Sequence, residues 1–301
     1  MSLIKPYLRW IILGLTLFFI TKTVKTNWQT VTSVTLDSQG WTLLSLALII
    51  TLIAHIWSGF VWLLILKGFK QPVSILWALK IYLITNIAKY LPGNVGHFYG
   101  RISAVSKKGA SLAVASLSVL LEPLLMASAA LLIALSSHFI GVIKTTSNFY
   151  VLTLQIFSLL IILLSIHPFF FNKLITFTQK NKRNKNKKND PLHIDKYPSI
   201  YLLGEIIFLL LRGLGFILVL MAFMSISIKQ IPVLLSAFSF AWLLGLVIPG
   251  APGGIGVFEA TIIALLQQST IPIGIILTPI AIFRIISILA EVIAAGLGLL
   301  L

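Results

Sequence analysis

The chain has 301 residues, of which 58% are apolar and 10% charged, with a formal net charge of +16 and no cysteine. A soluble domain carries about 25% charged residues, and the apolar residues here form blocks near the roughly 20 that cross a bilayer as a helix, so a soluble globular fold is excluded. Disulfides, thiol catalysis and thiolate metal sites are excluded as well.

Taken in chain order, the first apolar stretch, Trp10 to Ile20, follows Lys5 and Arg9 and precedes Thr21-Lys22-Thr23. It has no small-residue cleavage site and reads as a retained, short first span rather than a signal peptide. Further spans are expected at about 41–66, 73–90, 112–136 and 149–167. The segment 173–198 holds eight of the 23 basic residues and almost no apolar side chains, so it reads as a flexible loop. Spans follow at about 200–225, 231–248 and 271–301. The last is longer than the bilayer core and is expected to tilt or to bend at Pro279. Basic residues gathered in one loop suit anionic lipid headgroups, so nucleic acid is excluded as a partner.

Two of these spans end in a shared motif. Pro92-Gly93-Asn94-Val95-Gly96-His97-Phe98 recurs 160 positions later as Pro252-Gly253-Gly254-Ile255-Gly256-Val257-Phe258, and Pro72-Val73 recurs as Pro232-Val233 at the same offset. Each motif precedes a segment of about 13 residues, 95–107 and 255–267, too short to cross. The expected fold is an all-α integral membrane protein of about eight transmembrane helices and two re-entrant half-helices with an internal two-fold repeat. It forms one membrane domain over 1–301, with repeat halves at roughly 41–136 and 200–301. They are joined by the span 149–167 and the basic loop 173–198. Broken helices free backbone N–H and C=O groups, which survive only inside protein or beside a wet cavity. A half-helix start directs N–H groups and the positive dipole end at that cavity, which favours an anion such as a lipid phosphate. With four crossings between the motifs, both would open on one face, whereas an inverted repeat needs an odd number. Placing the basic loop in the cytoplasm then puts Lys5 and Arg9 outside, so spacing alone leaves the orientation open.

Ionisable residues inside the apolar blocks are Lys80, Lys89, Glu122, Glu205, Arg212, Arg284 and Glu291, with Arg101 and Glu259 just past the breaks. Each costs roughly 2.5–3.5 kcal/mol at a helix centre and must find a partner, a cavity or an interface. Glu205 and Arg212 are seven residues apart, as are Arg284 and Glu291. Each pair therefore shares a helix face but lies about 10 Å apart. Lys80 and Lys89 sit near span ends and read as snorkelling. The candidate substrate-binding residues are Pro92, Gly93, Gly96, His97, Arg101 and Glu122 from the first half, and Arg212, Pro252, Gly253, Gly254, Gly256, Glu259 and Arg284 from the second. The histidines lack metal spacing, and no nucleophile elbow, Walker loop or carboxylate dyad is present, so no catalytic residue, metal or other cofactor is expected.

At these motifs the chain resembles the membrane region of the lysylphosphatidylglycerol synthases, a flippase-like family that also occurs in stand-alone form. The resemblance covers about 7–301 and rests on Lys89-Tyr90-Leu91-Pro92-Gly93-Asn94-Val95-Gly96 with Arg101, and on Ile248 to Ala260. It implies movement of an aminoacylated or glycosylated lipid between leaflets of the cell membrane. The first motif in the family often reads Gly-Glu followed closely by Arg; here His97 follows Gly96, and Arg101 comes after an extra residue. The aminoacyl-transfer domain is not among these residues, so the chain by itself is not expected to synthesise lysylphosphatidylglycerol. The expected partners are anionic or phosphate-bearing membrane lipids. Two other readings stay open: an accessory protein that scaffolds a lipid- or glycan-modifying enzyme, and an intramembrane transferase.

Overall fold

The computed structural model describes residues 36–91, 94–139, 149–170, 172–173, 196–248, 252–266 and 273–301. The expected first span, Pro92 and Gly93 of the first motif, and the basic loop over 174–195 lie outside the described residues. Among the described residues the regular structure is helical. The helices are α1 (Ser38–Gly68), α2 (Ile75–Asn86), α3 (Gly96–Lys107), α4 (Leu112–Phe139) and α5 (Phe149–Ser165), then α6 (Ser199–Met221), α7 (Ile231–Val247), α8 (Val257–Leu266) and α9 (Ile273–Leu300). Helix starts follow local chemistry. Asp37 accepts from the Gly40 N–H at 2.7 Å to begin α1, Ser74 caps α2, and Pro232 stands in the first turn of α7.

Five helices are long and apolar enough to cross a bilayer: Ser38–Gly68, Leu112–Ser136, Ser199–Met221, Ile228–Val247 and Ile276–Leu300. The chain is a multi-pass membrane protein. The expected third span is shorter than its hydropathy suggested. α2 has 12 residues and passes into a 3-10 turn, Ile87–Tyr90, before the chain breaks. The expected fifth span, α5, has 17 residues. α9 continues through Pro279. On α5, Leu154, Phe157, Ile161 and Leu164 are exposed at helical spacing, a stripe suited to lipid.

The order long helix, shorter helix, break, short helix, long helix occurs twice. α1, α3 and α4 begin at 38, 96 and 112, and α6, α8 and α9 each begin 161 positions later, at 199, 257 and 273. Packing is reciprocal. α1 lies along α6, α4 packs on α7 as α9 packs on α2, and α9 touches α1 as α4 touches α6.

Both breaks are set by backbone chemistry. Leu91 and Ile248 turn extended, and Asn94, Gly253, Gly254 and Gly256 adopt φ of 54°, 59°, 73° and 86°. The two breaks touch. A Cβ built on Gly253 would lie 2.6 Å from Cε1 of Tyr90, and one on Gly254 3.1 Å from Cα of Gly245. Both positions therefore demand glycine for its conformation and for its lack of a side chain. Phe216, Phe238, Phe258 and Phe283, one from each of α6 to α9, cluster with ring centroids 5.2–6.2 Å apart. That aromatic knot fixes the short α8 against α9 and sets the positions of the arginines beside it.

Candidate functional site

Where the breaks meet, side chains from both halves enclose a cavity. Its polar wall includes His55 of α1, Lys89, His97 and Arg101 of α3, Glu122 of α4, Arg212 of α6, and Arg284 and Glu291 of α9. Gly253 and Gly254 of the second break complete it. His55, Glu122, Arg212 and Arg284 all fall well inside their helices, away from the ends.

Three ion pairs line or flank this space. Arg101 Nη1 meets Glu122 Oε2 at 2.6 Å, both side chains being 2% exposed. The Arg101 guanidinium also lies 3.7 Å from the ring centre of Tyr82, a cation–π contact. The Tyr82 hydroxyl donates to Glu122 Oε1 at 2.6 Å. Its one proton is then committed, so the Ser58 hydroxyl, 2.6 Å away, donates to Tyr82. The second pair mirrors the first with charges exchanged: the short helix α8 carries Glu259 and the following long helix carries Arg284, at 2.5 Å. Arg284 donates as well to the Gly253 and Gly254 carbonyls at 3.1 and 3.3 Å, groups freed by the break. Glu259 accepts the Gly256 N–H at 2.7 Å, which caps α8. The third pair joins Lys89 to Glu291 at 2.6 Å, with His55 Nε2 at 3.3 Å from the same oxygen.

Arg212 differs from the other cations. It is 6% exposed, and its Nε and Nη1 have no hydrogen-bond partner. Its guanidinium lies 5.3 Å over the Phe283 ring. Among the described residues no carboxylate oxygen lies within 4.0 Å of it. A buried guanidinium on a cavity wall, with nitrogens that no protein group bonds, has the chemistry to bind an anion.

Of the sequence candidates, His97, Arg101, Glu122, Arg212, Gly253, Gly254 and Arg284 are brought together on the cavity wall. Glu259 stands behind it through Arg284. Gly96 opens α3, with Ala88 O only 2.6 Å from where its Cβ would be. Gly256 donates to Glu259, and Pro252 opens the 3-10 turn Pro252–Gly254 of the second break. Pro92 and Gly93 lie outside the described residues. Lys89 requires a correction: it points inward to Glu291 instead of snorkelling, because the 3-10 turn that follows α2 lies on the cavity wall. Sequence reasoning also missed Asn86, Glu291 and His55 as wall residues. For Glu291 and His55, a charge or imidazole deep in an apolar block was the available signal. Among the described residues, no group of three or more His, Asp or Glu side chains could hold a metal ion.

The protein family described as the lysylphosphatidylglycerol synthase TM region matches the chain over residues 8–295. No curated protein matches it.

Proposed function

The chain belongs to the lysylphosphatidylglycerol synthase TM region family, and from that premise we propose that it translocates a phosphate-bearing lipid, aminoacylated or glycosylated, between leaflets of the cell membrane. The observation that carries this reading is Arg212, a buried cation on the cavity wall with two nitrogens unpartnered. Arg101 and Arg284 stand on the same wall with their charges already offset. A phosphate would therefore dock on Arg212 and borrow hydrogen bonds from its neighbours. Acyl chains would stay outside, between helices in the lipid.

Two halves of inverted topology fit this role. α2 spans roughly 18 Å at 1.5 Å per residue, about half the core thickness, and ends at the cavity. We read α2–α3 and α7–α8 as hairpins that enter from opposite faces, meet where the breaks touch and return; α7 with the turn before it is long enough to cross but ends at the second break. Three crossings, α4, α5 and α6, then separate the breaks, an odd number. With the first apolar stretch counted as a span on its sequence alone, this reading has six full crossings where hydropathy expects eight. Lys5, Arg9, Lys67, Lys70, Lys107, Lys108 and the eight basic residues of 173–196 then share one face, against Lys22, Lys25, Lys144 and Lys229 on the other. That asymmetry makes the first face cytoplasmic and removes the conflict over Lys5 and Arg9. The chain has no cysteine, so single cysteines report cleanly. Lys108→Cys should react with an impermeant maleimide only from the cytoplasmic side and Lys229→Cys only from outside. Labelling of both from one side would reject the inverted arrangement.

Translocation itself is tested with purified protein in phosphatidylcholine vesicles carrying fluorescent phosphatidylglycerol. The protected inner-leaflet fraction should become reducible by external dithionite at a rate proportional to protein copy number. A rate equal to that of protein-free vesicles would favour a scaffolding role instead.

A further inference from the structure

We infer that Glu205 is a proton-binding site, loaded together with the anionic headgroup, so that lipid movement is coupled to proton movement. The inference rests on the translocation reading and adds an energy source to it. Glu205 lies on α6, 0% exposed, and both its carboxylate oxygens lack a hydrogen-bond partner. An ionised carboxylate in that position would have no protein donor, and burying such a charge unpaired is costly. It is neutral there, carrying a proton.

The groups around it leave that proton no competitor. α6 packs against α1, α4, α7 and α9. The charges Glu205 feels are those of Glu122 on α4 and of Arg101, which reaches the same cluster from α3. Arg101 is committed to Glu122, and the Tyr82 hydroxyl donates its hydrogen bond to Glu122 as well. From α1, His55 faces Glu291. From α9, Arg284 holds Glu259, and Glu291 holds Lys89. α7 has no ionisable side chain.

Charge accounting then links the proton to the headgroup. Among the described residues the cavity wall carries four cations, Lys89, Arg101, Arg212 and Arg284, and two carboxyl groups, Glu122 and Glu291; Glu259 stands behind it through Arg284, and Glu205 lies off the wall on the helix that carries Arg212. Three pairs cancel. Arg212 and Glu205 are left over, seven residues apart on one helix and about 10 Å apart along it, too far to neutralise each other. With Glu205 protonated, the site keeps one positive charge at Arg212, matching a singly charged phosphodiester. Releasing the proton creates a negative charge about 10 Å from the phosphate site, which weakens anion binding about tenfold at an effective dielectric near 20. Proton and headgroup therefore enter and leave as a neutral couple. The one bond made and broken is the carboxyl O–H: a hydronium ion on one side gives its proton to the carboxylate, and water on the other side takes it back.

The test uses the full chain in phosphatidylcholine vesicles with fluorescent phosphatidylglycerol, with and without a one-unit pH gradient, comparing the parent with Glu205→Gln. Infrared difference spectra are taken on the same samples. The expected results are a carboxylic-acid C=O band that is lost in Glu205→Gln, and a lipid asymmetry in the parent approaching tenfold per pH unit for one proton per lipid. In Glu205→Gln the ratio of rates with and without the gradient should fall to one, whatever the absolute rate. An unchanged band in the variant, or a parent whose translocation ignores the gradient, overturns the coupling and leaves translocation standing. A parent that moves no phosphatidylglycerol at any pH overturns translocation and the coupling with it.

Discussion

Arg212→Met is expected to lose lipid translocation roughly a hundredfold while its fold stays at least as stable as the parent. The two effects separate on the proposed reading, in which Arg212 serves a ligand rather than the scaffold. Its Nε and Nη1 bond to nothing in the protein, so truncating the charge breaks no internal hydrogen bond from those atoms. Methionine keeps much of the apolar stem that lies against Phe283. Removing a buried, unpaired charge leaves stability unchanged or raises it by about 1–4 kcal/mol. A phosphate, by contrast, would forfeit charge-assisted hydrogen bonds worth about 3 kcal/mol in all, near a hundredfold. Fluorescent phosphatidylglycerol translocation and thermal unfolding in detergent, measured on the same preparation, check both halves. Full activity in the methionine variant would remove the anion site from the argument.

Arg284→Gln is expected to act in the opposite direction, lowering stability by about 3 kcal/mol before any question of transport arises. Arg284 holds Glu259 at 2.5 Å and both glycine carbonyls of the second break. Its loss leaves one carboxylate without its cation and two carbonyls unsatisfied. Breaking a buried pair from one side costs about 3–5 kcal/mol. The lower end applies because the Glu259 side chain keeps 24% of its surface exposed. The double variant Glu259→Gln with Arg284→Gln should recover part of the loss, because the stranded charge is gone. Thermal unfolding of the parent, both singles and the double closes that cycle. A double variant less stable than the sum of the singles would mean the two residues are held apart rather than together.

Much of this arrangement was legible in the residues. Paired Pro-Gly motifs located both breaks and both short helices to within two residues, because glycine and proline act on the backbone itself. Buried ionisable residues marked the cavity wall, since a charge in an apolar block has few places to go. Pairing was not legible. Glu291 meets a lysine 202 positions away, and nothing in the sequence around Lys89 distinguishes a cavity from a membrane surface. The length of the third span was not legible for a related reason: hydropathy registers 73–90 as apolar, but it does not report that the α-helix ends at Asn86 and passes into a 3-10 turn beside the second break. The exchanged sign of the Arg101–Glu122 and Glu259–Arg284 pairs was hidden as well, because the repeated positions carry different residues.

The contact of Tyr90 with the Gly253 backbone bears on leakage. On the translocation reading, two blunt ends in contact would insulate the resting protein, and a headgroup would pass by wedging those ends apart rather than through an open pore.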